Sequence, residues 1–118
     1  MSIVADLLAQ PGVLVAGQFS YRGDRYSYRG ELSEEQARLL SIVCRTTTMT
    51  TNMNARILAN ASAGATPKLI RGWILRGPEL SLCAHANTFC LFNTSAGSAN
   101  QLLHWMSTAL ADETMDLL

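Results

Sequence analysis

The sequence predicts an α+β domain in which a single antiparallel sheet of five strands carries helices on both faces. Helical periodicity appears in three segments, and short strand-like runs separated by turns lie between them. The predicted order is α-β-β-α-β-β-β-α, with the strands grouped as two and then three. These elements account for nearly all 118 residues. We therefore expect residues 1–118 to form one domain with one core.

The N-terminal third is predicted to form a short helix and a strand pair. Residues 2–9 read as the helix, with the Ser2 side chain as its cap, and Pro11-Gly12 ends it. Residues 13–20 are apolar at both alternating sets of positions, which predicts a strand covered on both faces. After a turn, residues 25–29 alternate tyrosine with arginine and serine, and this pattern indicates a half-buried strand.

The strongest local signal begins the long central helix. Ser33-Glu34-Glu35-Gln36 has the sequence of a capping box, and its two glutamates suit the first turn of a helix. The helix is predicted to continue to about Ala61. Five threonines at residues 46–51 argue against a continuous helix, because β-branched side chains disfavour helices and favour strands. We favour a helix over a strand because the capping box and flanking methionine and isoleucine residues bracket this run.

Apolar and small side chains cover a broad arc of the long helix. One face comprises Ala37, Leu40, Val43, Cys44, Thr47, Thr51, Asn54, Leu58 and Ala61. The flank beside it comprises Leu39, Ile42, Met49, Met53 and Ile57. Small side chains allow another helix to approach closely, so this arc predicts a contact surface. The candidate interface residues are Leu40, Val43, Thr47, Thr51 and Asn54 on the helix, and Tyr26 and Tyr28 on the second strand.

The C-terminal half is predicted to contain three strands and a closing helix. Pro67 opens a strand over residues 68–76. Residues 80–85 and 88–92 form a hairpin around Ala86-Asn87. Ser98-Ala99-Asn100-Gln101 resembles a second capping box and begins the last helix.

Composition points to a protein partner and argues against several other functions. Hydrophobic residues make up 48% of the chain and charged residues only 15%, so a small domain of this kind leaves apolar surface for a partner. Nine basic residues balance nine acidic ones, which gives no electrostatic signature of nucleic-acid binding. No apolar run is long enough to span a membrane. The N-terminus lacks basic residues, and the odd count of three cysteines shows no disulfide framework, so we expect a reducing, cytoplasmic location.

Cys83 and Cys90 are the sharpest candidates for chemistry. The predicted hairpin register places them opposite one another at a hydrogen-bonded pair of positions. They form either a redox or sulfur-carrying dithiol, or two small apolar residues in a buried sheet face, and we favour the second interpretation. His85 lies nearby, but too few further ligands accompany it for a structural zinc site, and His104 is placed on the exposed side of the last helix. We find no catalytic constellation, cofactor motif or metal site in the sequence.

Several short motifs carry a resemblance to a known family. These are Pro11-Gly12-Val13, Ala16-Gly17, residues 30–35 and Arg71-Gly72-Trp73, set in the predicted order of elements. The chain resembles the roadblock/dynein-light-chain family, which has a profilin-like fold. It looks closest to a small subfamily found in sulfur-oxidising and related prokaryotes. The resemblance implies a homodimer that acts as a non-catalytic scaffold or as a regulator of small GTPases.

The leading functional hypothesis is therefore a non-enzymatic, homodimeric scaffold or regulatory protein. Its partner would be a protein, such as a small GTPase or a sulfur-metabolism complex. The first alternative is an accessory protein of sulfur metabolism that uses a Cys83/Cys90 dithiol. The second is a small-ligand sensor, because sensor domains share profilin-like sheets and would contain an apolar cavity.

Overall fold

The computed structural model describes residues 2–61 and 71–111 of the chain. Its elements, in chain order, are α1 (Ile3–Leu8), β1 (Val13–Phe19), β2 (Tyr26–Gly30), α2 (Glu34–Asn60), β3 (Gly72–Arg76), β4 (Leu80–His85), β5 (Thr88–Asn93) and α3 (Ala99–Ala109). The predicted order and fold class are confirmed. The predicted start of β3 at Pro67 and Lys68 lies outside the described residues.

All five strands join one antiparallel sheet in the order β2-β1-β5-β4-β3. The strands β2 and β3 are therefore the two edges, and β5 lies at the centre. The predicted hairpin register is confirmed, because Cys83 pairs with Cys90 and His85 pairs with Thr88 across β4 and β5. A shift in register between Val13 and Val15 marks a bulge where β1 meets β5.

The sheet separates two layers of core. On one face, α1 and α3 pack against a cluster that includes Leu7, Ala16, Phe92, Leu102 and Met106. On the other face, α2 packs against a cluster that includes Val15, Phe19, Cys44, Leu82 and Phe89. The central strands are buried on both sides, as the apolar alternation of β1 predicted.

The capping box of α2 is complete. The Ser33 hydroxyl accepts a hydrogen bond from the Gln36 backbone N–H, and the Gln36 side chain accepts one from the Ser33 N–H, both at 3.1 Å. The threonine run is helical, as predicted. Tertiary contact supports it, because the buried indole N–H of Trp73 on β3 donates a hydrogen bond of 2.7 Å to the Thr48 hydroxyl. This bond ties the middle of α2 to the edge of the sheet.

A few element boundaries differ from the predictions by one residue. Strand β2 begins at Tyr26 and extends to Gly30, while β5 continues to Asn93. At the start of α3 the Ser98 hydroxyl accepts the Gln101 N–H at 3.3 Å, which is the N-cap half of the predicted capping box. Across residues 2–61 and 71–111, no helix is both long and apolar enough to cross a membrane.

Candidate interaction surface

The face of α2 that packs on the sheet is narrow. Its buried residues are Ala37, Ser41, Cys44 and Thr48, which recur at spacings of three and four. The sequence-based face contained Ala37 and Cys44 but missed Ser41 and Thr48, so the true face is rotated relative to the predicted one. A helix with apolar side chains around most of its circumference does not reveal by periodicity alone which side meets the sheet.

A second apolar stripe lies on the opposite side of α2 and points away from the sheet. Its members are Leu39, Ile42, Met49, Met53 and Ile57, which are between 43% and 60% exposed. Five large apolar side chains on one exposed helix face form a patch of the kind that marks a protein contact. We call this set the outer stripe. The sequence placed these residues together on a flank, and the structure turns that flank outward.

One flank of α2, between its buried face and the outer stripe, is uncharged. It carries Val43, Thr47, Thr51, Asn54 and Leu58, of which Leu58 is 70% exposed and Thr47 and Thr51 are half-buried. Four of these five are predicted interface residues. The predicted residue Leu40 also lies along this flank but packs partly against the core beneath α2. We call Val43, Thr47, Thr51, Asn54 and Leu58 the uncharged flank.

The sheet leaves apolar surface uncovered on the same side. Leu75 on β3 and Leu80 on β4 are 53% and 47% exposed. Alternation places Leu75 on the face of Trp73 and Leu80 on the face of Leu82, so both point to the α2 side of the sheet. Beside them runs the outer edge of β3, which has no strand partner among residues 2–61 and 71–111 and whose side chains include the 39% exposed Ile74. An unprotected apolar edge is a site for strand pairing.

Arginines occupy the other flank of α2. Arg38, Arg45 and Arg56 are seven and eleven residues apart, or about two and three helical turns, so they form one row. The Arg45 Nε–H donates a hydrogen bond of 2.7 Å to the Tyr21 carbonyl in the β1–β2 turn. The arginine row therefore faces that turn, and the uncharged flank lies on the other side of α2.

Tyr26 and Tyr28 lie on β2, at the opposite edge of the sheet from β3. Their rings stack with centroids 6.4 Å apart, and their hydroxyls donate to the Glu34 carboxylate at 3.1 and 3.5 Å. Partial burial, together with the Glu34 charge, raises the pKa of both tyrosines. The structure thus separates these two predicted interface residues from the uncharged flank and joins them to the first turn of α2.

The cysteine pair lies deep in the α1/α3 layer. The Cys83 and Cys90 sulfurs are 3.3 Å apart, both residues are free thiols, and both are fully buried. The hydrogen bond with Cys83 and burial in apolar surroundings raise the pKa of Cys90 far above its ordinary value. Burial raises the pKa of Cys44 in the same way. A thiolate, the reactive form, is therefore disfavoured.

We predict that replacing both Cys83 and Cys90 with serine lowers the free energy of unfolding by roughly 1–3 kcal/mol, because two polar hydroxyls would be buried in an apolar layer with only each other as partners. Chemical denaturation measures this loss. In the native wild-type protein an alkylating reagent should label these thiols far more slowly than in denaturant. Rapid labelling of both thiols in the folded protein would contradict their assignment as inert core residues.

The described residues gather no set of metal ligands, and the polar groups of one surface indentation are already engaged. In residues 2–61 and 71–111, no three His, Cys, Asp or Glu side chains cluster in a way that suits a metal ion. An indentation of about 360 Å³ lies between β3, β4 and the start of α3. Its Ser81 and Thr94 hydroxyls bond each other at 2.7 Å, and Thr94 also bonds the Gly77 carbonyl at 2.9 Å. Its hydroxyl groups are thus already engaged within the protein.

The sheet order, with one long helix on one face and two short helices on the other, is the architecture of Roadblock/LC7 domains. A Roadblock/LC7 domain from Streptomyces avermitilis superposes with a TM-score of 0.65 at 15% identity, covering 92% of this chain and 94% of that one. The gliding protein MglB from Thermus thermophilus gives 0.68 at 16% identity, covering 92% and 82%. An MglB structure with a tetrameric arrangement gives 0.64 at 13% identity, covering 95% and 82%.

The sequence, unlike the fold comparison, identifies the family to which the chain belongs. The model of the uncharacterized conserved protein family DUF2173 matches residues 3–108, and the chain belongs to that family. No curated protein matches the sequence significantly. The similarity to the solved structures lies at the level of the fold.

Proposed function

We propose that this protein is a non-enzymatic, homodimeric scaffold or regulatory protein of roadblock type that binds a protein partner in the cytoplasm. The observation that carries the proposal is the apolar character of α2 on sides that the sheet does not cover. In the single chain, the apolar side chains of the outer stripe and the uncharged flank are exposed to water. Covering them with other protein surfaces would add the free energy of hydrophobic burial.

The dimer interface is best placed on the β3 side. There the edge strand β3 carries the exposed Leu75, and Leu80 of β4 is exposed on the same face of the sheet as Leu75, the face that α2 packs on. Two copies of β3 can pair antiparallel about a two-fold axis, which would bring each uncharged flank toward the partner's exposed leucines. Both edge strands carry arginines, but Tyr26 and Tyr28 of β2 already stack on each other and bond Glu34 within the chain, so β2 suits pairing less well. We therefore prefer β3 to the Tyr26/Tyr28 strand as the dimer edge.

The outer stripe remains free in such a dimer and is the surface for a further protein. The resemblance to roadblock proteins implies a small GTPase as one partner class, and a sulfur-metabolism complex is the other that the subfamily resemblance suggests. An accessory role through a Cys83/Cys90 dithiol is the weaker alternative, because burial and the raised pKa of Cys90 disfavour a reactive thiolate.

We predict that the wild-type protein sediments as a dimer at micromolar concentration. The paired surfaces should bury more than about 1,000 Å² in total, as expected for a specific interface. Sedimentation equilibrium over a range of concentrations measures the mass. A monomer throughout that range would overturn the proposed homodimer.

A further inference from the structure

The groove beside the arginine row has a defined chemistry. Tyr21 from the β1–β2 turn and the outer-stripe residues Met49, Met53 and Ile57 border an open groove of about 650 Å³, with Arg56 on its rim. Its walls are mostly apolar, and methionine side chains adapt readily to the shape of a bound partner. The outer stripe continues from this groove toward Leu39 and spans about 27 Å, or five helical turns.

The charge around this groove is positive. Between Glu35 and the end of α2 there is no acidic residue. Arg38 is paired with Glu35 at 2.7 Å, which is the single ion pair found across residues 2–61 and 71–111. Arg45 and Arg56 thus have no carboxylate within ion-pair distance among those residues. On the neighbouring turn, Asp24 accepts a hydrogen bond of 2.8 Å from the Ser20 hydroxyl and is flanked by two arginines.

We propose that this groove binds an acidic amphipathic helix of a partner protein. Apolar side chains of that helix would lie along Met49, Met53 and Ile57, and carboxylates on one of its flanks would face Arg45 and Arg56. This inference rests on the proposed scaffold function and names its partner by chemistry. Because the arginines occupy one flank only, they also fix the rotation of the bound helix.

The same features argue against a membrane surface as the occupant. Helices that lie on membranes carry basic residues along both borders of their apolar face. Here the border opposite the arginine row is the uncharged flank, which includes Thr47, Thr51 and Asn54. The surface is also concave between Tyr21 and α2, which suits a protruding side chain better than a flat layer of headgroups.

The test uses two synthetic helical peptides of about five turns that share one leucine stripe. One peptide carries glutamate along one flank and the other carries lysine at the same positions. Fluorescence anisotropy with the full chain should show at least about ten-fold tighter binding of the acidic peptide at low salt, and this preference should shrink as salt rises. Arg56→Glu should weaken binding of the acidic peptide about five-fold, while Arg56→Lys retains it.

Arg29→Glu is the matched control, because it makes the same charge change on the sheet face away from α2 and should leave peptide binding unchanged. Sedimentation of the same samples separates the two proposals. A dimer that binds neither peptide, or binds both equally, would overturn the acidic-helix proposal and leave the dimer standing. If the protein floats with phosphatidylserine vesicles and does not discriminate between the peptides, the acidic-helix proposal is overturned in favour of a membrane surface.

Discussion

The double variant Thr47→Glu/Thr51→Glu is expected to sediment as a monomer under conditions where the wild type is a dimer. The two threonines lie one turn apart on the uncharged flank of α2, which the proposed dimer buries. In the proposed dimer each copy would bury two carboxylates without partners, at a cost of several kcal/mol per interface. Sedimentation equilibrium, together with circular dichroism to confirm that the helix content is retained, measures the effect.

The threonine run itself supplies a matched control. Thr46→Glu/Thr50→Glu changes the same residue types at the same spacing, but these two side chains are exposed and point toward the outer stripe. This variant should remain a dimer.

Leu58→Glu is a second test of the uncharged flank and should also weaken the dimer. Its effect on folding should be small, because the Leu58 side chain is 70% exposed in the single chain. Dimers of unchanged affinity in both flank variants would exclude this surface as the interface.

Much of the fold follows from local signals in the sequence. The capping box placed the start of α2 at the correct residue, because Ser33 and Gln36 satisfy each other's backbone donors regardless of tertiary context. The turn at Ala86-Asn87 set the β4–β5 register and hence the Cys83–Cys90 pairing. Such features depend on residues a few positions apart, so a single sequence is enough to recognise them.

The interaction surface was only partly predictable, because it depends on the path of α2 over the sheet. Periodicity showed a broad apolar arc, but tertiary contacts decide which stripe faces inward, such as the hydrogen bond between Trp73 and Thr48 and the burial of Cys44. The exposure of Leu75 likewise depends on how far α2 extends over β3. The arginine row, by contrast, follows from the sequence alone, because spacings of seven and eleven residues place three arginines in one row on a helix.

The division of α2 into four faces gives each a separate structural role. One face holds the helix to the sheet; in our proposals the uncharged flank meets a second copy, the outer stripe meets a partner, and the arginine row orients that partner. A conventional surface helix has one apolar face and a polar remainder. Charged residues make up only 15% of the chain. The exposed apolar surface that results lies mainly on this helix and on the part of the sheet that the helix does not cover.

Gly17→Val is expected to lower the free energy of unfolding by about 3 kcal/mol or more, the largest loss we expect from a single substitution in the sheet. Gly17 sits on β1 between its partners Tyr28 on β2 and Phe89 on β5. A Cβ atom there would collide with the Ser27 backbone carbonyl and would lie 2.6 Å from the Phe89 ring. The Phe89 side chain can move, but the Ser27 carbonyl belongs to the backbone of the neighbouring strand, so β1 and β2 would have to separate.

Chemical denaturation at fixed protein concentration measures this loss, since dimerisation also contributes to the apparent stability. Gln18→Val, at the next residue of β1, is the control. It introduces the same side chain at a half-exposed position and removes one hydrogen bond of 3.3 Å to Thr88, which should cost about 1 kcal/mol. Equal stability of the two variants would show that the β1–β2 pair can accommodate a side chain at Gly17. The edge position of β2 would then be the reason, because an edge strand can shift without disturbing a second neighbour.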